Sequence, residues 1–290
     1  MDGMNRDEIK TRIYSKIDEL PTLPLVLPKL LRTLENRNSN VRTVADVISI
    51  DPALTSKLLK VANSAYYGFP SEITSLQRAV ALLGFNMVRS LALSMSVIDS
   101  ITGGGKLRSF SEEDLWVHSL VVATLMQEIS QKTGNPEEEY EHLFVIGLLH
   151  DIGKIVFDLF FNDLFRKAIN EGTENARKPL FIAERDLIGM DHGEVGGMLL
   201  KRWKFPPVIS EPILYHHQDQ IPEDIDGKTT SLLKLADSIA LKTESAEDPS
   251  LGEFLDRFSI SEINEEDLRD VLNRLNDSKA KIFAFHRAMV

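Results

Sequence analysis

The spacing of apolar residues predicts helices along almost the whole chain. Apolar positions recur at three- and four-residue intervals after the Asp51-Pro52 pair, which is typical of a helix start because Asp caps and Pro suits the first helical position. A helix is expected to begin after Ser75 and to end at Gly84, and another is expected over about 85–101. No segment shows the alternation of a strand, so the pattern predicts an all-α protein.

The second half of the chain continues this pattern. Ser111 and the acidic residues after it resemble a capping box, Pro179 is a helix start, and Asp191 is an N-cap. Asn135-Pro136 should begin a helix that runs to His150. Further helices are predicted at Val208 to His217, Ser231 to Lys242 and Glu265 to Arg287.

Three consecutive glycines, Gly103-Gly104-Gly105, interrupt the helical pattern and are the best linker candidate. They divide the chain into a smaller N-terminal helical lobe, residues 1–104, and a second lobe, residues 105–290, which is acidic and helical beyond about residue 245. With 290 residues, the chain can form one large domain or two modest ones.

Composition excludes several classes of protein. The chain has no cysteine, so disulfide frameworks, cysteine zinc sites and iron–sulfur sites are excluded. A net charge of −11 and the lack of a basic run argue against nucleic acid as a partner. No signal peptide is visible, and the apolar runs fall short of the ~20 residues that span a membrane, so we expect a cytoplasmic protein without membrane contact.

Histidine is the residue type whose positions are most informative. Five of the seven histidines lie in the second lobe in settings unlike random surface: His118, His150, His192, His216 and His217. His150 is followed directly by Asp151, and Asp237 lies within an apolar run. A carboxylate on an apolar helix is costly to bury unless it is paired or bound to a metal.

Imidazole and carboxylate together suit divalent Fe, Mn, Ni, Co or Zn, and a carboxylate can bridge two ions ~3.5–4 Å apart. Adjacent residues on a helix point ~100° apart. His150 and Asp151 can therefore converge only if the helix ends or bends there, and Gly153 is expected to supply the necessary freedom.

Each candidate has a structural alternative when it is taken alone. His118 suits a hydrogen-bonded core position, His216-His217 suits a helix C-terminus, and Asp237 could cap a helix or pair with a lysine. The combination of all these residues favours a metal site.

The early His118, the His150-Asp151 doublet and the later Asp237 resemble the signature of the HD superfamily of metal-dependent phosphohydrolases. More specifically, the chain resembles the HDOD family, the HD-related output domains of bacterial signalling proteins, over about residues 20–240. The motifs that carry this likeness are LPTLP (20–24), IDPALT (50–55), ANSA (62–65), AVALLG (79–84), GLLHDIG (147–153), DHGEVG (191–196) and His216-His217.

The resemblance implies a multi-helical HD-like bundle and a regulatory or scaffolding role, and many HDOD domains lack the metal-binding residues. This chain keeps a set similar to the ligands of the HD-GYP branch, which hold two or three metals: His118, His150, Asp151, His192, His216, His217 and Asp237. Lys154 matches a lysine of that branch and would face phosphate. The Gly-Tyr-Pro motif of the branch is absent after His217, so the resemblance does not extend to cyclic di-GMP as the substrate.

Two hypotheses follow. In the first, the protein is a phosphohydrolase or phosphodiesterase. Asp151 would bridge two divalent ions, hydroxide would attack phosphorus, and Lys154 would help to stabilise the developing charge on a phosphomonoester, nucleotide or cyclic nucleotide. One ion would be held by His118, His150 and Asp237, and the other by His192, His216 and His217.

In the second hypothesis, the protein binds a signalling protein partner through its helical lobes, and a metal is structural, sensory or absent.

Overall fold

The computed structural model describes residues 5–21, 23, 26–36, 38–102, 107–133, 137–174, 178–244, 251–258, 260 and 262–289. Within these ranges the chain forms fifteen helices and no strand, which confirms the all-α prediction. In chain order the helices are α1 (Arg6–Glu19), α2 (Val26–Glu35), α3 (Val41–Ile48), α4 (Pro52–Ala62), α5 (Leu76–Thr102), α6 (Glu112–Lys132), α7 (Glu137–Leu149), α8 (Ile152–Phe160), α9 (Asn162–Glu174), α10 (Leu180–Leu187), α11 (His192–Arg202), α12 (Pro207–Tyr215), α13 (Gly227–Glu244), α14 (Leu251–Arg257) and α15 (Glu265–Met289).

Several predicted helix starts are confirmed by their caps. The Asp51 side chain accepts from the first backbone N–H groups of α4, Ser111 accepts from Asp114 N, and Asp191 forms a complete capping box with Glu194. The predicted start at Asn135-Pro136 lies outside the described residues. The caps matter for function because α6 and α11 both carry histidines of the candidate site.

The prediction that one helix ends at Gly84 and another follows over about 85–101 is confirmed, because α5 consists of two helical segments that meet at Gly84 in a sharp bend. Gly84 has φ 79° and ψ 160°, a conformation that favours glycine, and the segments Leu76–Phe85 and Met87–Ile101 meet at 104°. No single helix in the described ranges is long and apolar enough to cross a membrane, and the bent pair reaches that length only when both segments are combined. Gly103-Gly104-Gly105 lies outside the described residues, so the division into two lobes stays a prediction.

The helices at the two ends of the chain pack on segments far away in sequence. Helix α1, which was not predicted, packs against α11. The Trp203 indole, at the end of α11, donates to the carbonyl oxygen of Pro21, just beyond the end of α1, at 3.0 Å. Helix α15 packs against both α4 and α6, and its Phe285 ring contacts Tyr66, Tyr67 and Phe144. One hydrophobic cluster therefore includes residues from both halves of the chain.

Glycines allow the helices around the candidate site to approach closely. A Cβ on Gly147 of α7 would lie 2.4 Å from Ala123 Cα of α6, and a Cβ on Gly153 of α8 would lie 2.0 Å from His192 O of α11. The expectation that Gly153 gives the backbone freedom was wrong. Gly153 is an ordinary helical residue in α8, and its physical role is to leave room for α11.

We predict that Gly147→Ala destabilises the protein by about 1–3 kcal/mol, because the added methyl group overpacks the contact between α6 and α7. Gly227→Ala is the matched control, since its Cβ would have nothing within 4 Å. Urea unfolding of both variants checks this. Equal midpoints for Gly147→Ala and the wild-type protein would contradict it.

Candidate metal centre

The His150-Asp151 doublet lies in a helix break. Helix α7 ends at Leu149 and α8 begins at Ile152, so the two residues form the turn between them. Asp151 occupies the N-cap position of α8, but its side chain makes no capping hydrogen bond. Because the helix ends here, both side chains are free to point toward the same place.

One group of side chains comes together from α6, the α7–α8 turn and α13. His118 Nε2 lies 3.1 Å from Asp237 Oδ1. His150 Nε2 lies 3.5 Å from Asp151 Oδ2 and 3.7 Å from Asp237 Oδ1. The possible ligand atoms of His118, His150 and Asp151 all lie within 4.8 Å of one another.

A second group comes together from α11 and the C-terminal end of α12. The possible ligand atoms of His192, His216 and His217 also lie within 4.8 Å of one another, and His217 Nε2 is 2.8 Å from His192 Nε2. His192 Nε2 is 3.0 Å from Asp151 Oδ1. Asp151 thus presents Oδ2 to the first group and Oδ1 to the second.

The structure brings together all seven predicted ligands, and it buries most of them. His150 is fully buried, Asp151 is 2% exposed, and His118, His192, His216 and Asp237 are each below 9%. The partly exposed members of the centre are His217 and Lys154, whose side chain is 19% exposed and whose Nζ donates to Asp151 Oδ2 at 2.6 Å.

The hydrogen bonds of two histidines select the ring nitrogen that faces the centre. His150 Nδ1 lies 2.8 Å from Gly147 O, and His216 Nδ1 lies 2.7 Å from Ile213 O. A carbonyl oxygen only accepts, so Nδ1 must carry a proton and donate, which leaves Nε2 as the ring nitrogen that faces the centre. In His150 and His216 this Nε2 is buried without a hydrogen-bond partner.

These features suit a divalent metal. Buried Nε2 atoms without partners would be costly on their own, and a metal ion is the partner that two groups of nitrogen and carboxylate ligands prefer. Carbonyl groups that hold Nδ1–H are the usual outer contacts of metal-binding histidines.

Charge compensation stabilises the two aspartates. Burial alone would raise the pKa of Asp151, but His150, Lys154 and His192 outweigh it and hold the pKa well below its usual range. Burial likewise opposes ionisation of Asp237, and its contacts with His118 and His150 lower its pKa. Both carboxylates are therefore ionised and available as ligands at neutral pH.

The histidines of the second group differ from one another. Burial tends to lower the pKa of His192, but the carboxylates of Glu184 and Asp151 outweigh it and raise the pKa to about 9. Burial, followed by the neighbouring histidines, lowers the pKa of His216 to about 4 and that of His217 well below its usual range.

Residues of α10 complete the surroundings, and sequence reasoning missed them. The Phe181 ring stacks on the His217 ring with 4.3 Å between centroids, and Arg185 donates to His217 O and to Asp191. Glu184 Oε2 lies 2.6 Å from His192 Nδ1. A signal was present, because Glu184 shares the helical face of Leu180, Ala183 and Leu187, where a carboxylate is out of place.

The remaining two of the seven histidines, His142 and His286, were not candidates for the site, and both lie outside the centre. His142 lines a separate cavity of about 550 Å³ beside the start of α13. His286 is buried on α15 and both of its ring nitrogens lack a partner.

Comparison with known proteins identifies the family. The model of the HDOD domain matches residues 20–219, more than half of the chain. The chain belongs to the HDOD family. This HDOD protein is 26% identical over 212 residues to an uncharacterised protein of Treponema pallidum, and the match covers 72% of the chain but only 40% of that relative.

Two solved structures resemble this HDOD protein over nearly its full length. A Shewanella amazonensis protein with the provisional name phosphohydrolase is 25% identical, has a TM-score of 0.77, and is matched over 96% of this chain and 98% of its own. A Geobacter sulfurreducens HDOD domain protein of unknown function has the same identity and TM-score, with 98% of both chains covered. The HDOD assignment and the all-α bundle expected from the sequence are thereby confirmed.

We predict that metal uptake releases protons. At pH 7 the raised pKa keeps the metal-free His192 ring doubly protonated, and its Nε2 must lose a proton before it can bind a metal. His192 should therefore release about one proton at pH 7, and the affinity should rise roughly tenfold per pH unit up to about pH 9. Calorimetric Mn²⁺ titrations in buffers of different ionisation enthalpy measure this count, and a value near zero would contradict it.

Proposed function

We propose that this HDOD protein is a phosphohydrolase that depends on two divalent metal ions. The observation that carries the proposal is the position of Asp151, whose two oxygens face separate groups of ligands. This arrangement is what a bridging carboxylate between two ions requires. The likeness to the Shewanella protein with the provisional name phosphohydrolase supports the same class of reaction.

The residues divide into two ligand sets around Asp151. His118, His150 and Asp237 would hold one ion, and His192, His216 and His217 would hold the other. Divalent ions bound in this way supply Lewis acidity and a nucleophile at neutral pH. Fe, Mn, Ni, Co and Zn all suit the mixed nitrogen and carboxylate donors.

Lys154 and His217 define the side from which a substrate would approach, because they are the partly exposed members of the centre. Burial tends to lower the pKa of Lys154, but Asp151 outweighs it and raises the pKa, so the side chain stays a cation. This ammonium group would stabilise negative charge on phosphoryl oxygens. The substrate class is a phosphomonoester, a nucleotide or a cyclic nucleotide.

A second candidate function is a signalling module that binds a partner protein, with the metal in a structural or sensory role. The observation in its favour is burial, since six of the seven ligands are less than 9% exposed. So closed a centre suits an ion that stabilises the fold as well as one that reacts. The regulatory role implied by the family agrees with this reading.

We expect the protein purified without chelator to contain about two metal equivalents per chain. Asp151→Ala should lose most of this metal, because the substitution removes a ligand from both groups, whereas His142→Gln should keep it. Elemental analysis of the three proteins measures this. Metal-free wild-type protein that also takes up no Mn²⁺ or Zn²⁺ would refute the metal centre.

For catalysis, we expect hydrolysis of at least one phosphomonoester or cyclic nucleotide in a screen with added Mn²⁺, and a fall to background in Asp151→Ala. Lys154→Met should keep the metal and lose most of the activity, since it removes the cation that faces phosphate. Activity that persists in Asp151→Ala indicates a contaminant. A metal-loaded, folded protein without any activity favours the signalling module.

A further inference from the structure

Glu184 is a buried carboxylate outside the proposed ligand set that contacts one of the ligands twice. It lies in α10, is fully buried, and its Oε2 accepts from the His192 backbone N–H at 2.9 Å. The same oxygen lies 2.6 Å from His192 Nδ1, so the ring donates to it. Its other oxygen, Oε1, is buried without a partner. A buried carboxyl group needs polar partners, and the backbone and ring of His192 provide them.

This contact distinguishes His192 from the other histidines of the centre. His150 and His216 donate from Nδ1 to carbonyl oxygens three residues earlier, in the last turns of α7 and α12. His192 instead donates to a carboxylate that comes from a different helix. A charged acceptor makes a stronger hydrogen bond and makes the imidazole a more basic ligand.

The turn between α10 and α11 fixes Glu184 relative to His192. Gly189 has φ 88°, and its N–H donates back to Glu184 O, which closes the end of α10. Arg185 donates to the Asp191 carboxylate with its Nε at 2.8 Å, and Asp191 in turn caps α11. The separation of the two residues is therefore set by the backbone and does not depend on their mutual contact alone.

We infer that Glu184 is a positioning residue that aims His192 Nε2 at Asp151 and selectively supports the ion held by His192, His216 and His217. This inference rests on the proposed function for the presence of that ion. Both Glu184 contacts join protein atoms only, so the orientation of the ring is expected in metal-free protein as well. The two parts can therefore be tested separately.

The first test measures metal affinity. Glu184→Gln keeps an acceptor oxygen of the same reach but removes the negative charge, so binding of one Mn²⁺ equivalent should weaken about 10- to 100-fold while the other is unchanged. Glu194→Gln is the matched control. Glu194 lies in the first turn of α11, the helix that carries His192, but it accepts from Asp191 N rather than from His192. Calorimetric titration of metal-free wild-type protein and both variants gives the affinities.

The second test observes the ring in metal-free protein by NMR. A short N–H to carboxylate bond should place the His192 Nδ1 proton far downfield. Glu184→Gln should move this resonance upfield, Glu184→Met should abolish it, and Glu194→Gln should leave it unchanged. Circular dichroism confirms that each variant is folded, and the milder Glu184→Gln decides the matter if Glu184→Met does not fold.

The outcomes distinguish failure of the Glu184 inference from failure of the proposed function. Glu184→Gln that binds both equivalents with wild-type affinity overturns the selective support of one ion. A downfield resonance that is insensitive to Glu184 overturns the positioning role. Wild-type protein that binds no metal refutes the proposed function, and with it the claim that Glu184 supports one of the ions. The His192 Nδ1 proton resonance still decides whether Glu184 orients His192.

Discussion

The burial of the Asp151 carboxylate is the constraint on which the rest of the centre depends. An ionised carboxylate at 2% exposure must be surrounded by partners, and here they come from α6, the α7–α8 turn, α8 and α11. These helices can approach only because their contact residues are small, as Gly153 shows against the backbone of α11. Close packing of these helices is therefore what brings the compensating side chains to the Asp151 carboxylate.

The local features of the fold were predictable because they depend on neighbours in sequence. Asp51, Ser111 and Asp191 cap their helices as expected, and Gly84 bends α5. Helix α1 was missed because its buried stripe is only Ile9, Ile13 and Ile17 in fourteen residues. Such a narrow stripe becomes informative only when the partner surface on α11 is known.

The residues of the centre likewise divide into those that could be predicted from the sequence and those that could not. The seven ligand candidates were found because histidine and aspartate stand out against apolar helices, and the structure brings them together. Glu184 was missed because it precedes His192 by eight residues and belongs to another helix. The role of Gly153 was misjudged because the backbone that it accommodates, that of His192, lies 39 positions away in the sequence. Sequence periodicity describes one helix at a time, whereas both of these contacts join two.

The packing of the chain ends has a consequence for how the protein is made. Asp237 lies beyond the family segment 20–219, and α15 must dock on α4, which leaves the ribosome long before it. Synthesis proceeds from the N-terminus at roughly 5–20 residues per second, so the group that includes Asp237 stays incomplete until α13 has emerged, whereas His192, His216 and His217 emerge before it. In the proposed metal centre, Asp237 is therefore the last ligand to be synthesised, and full loading of the centre would be a late event.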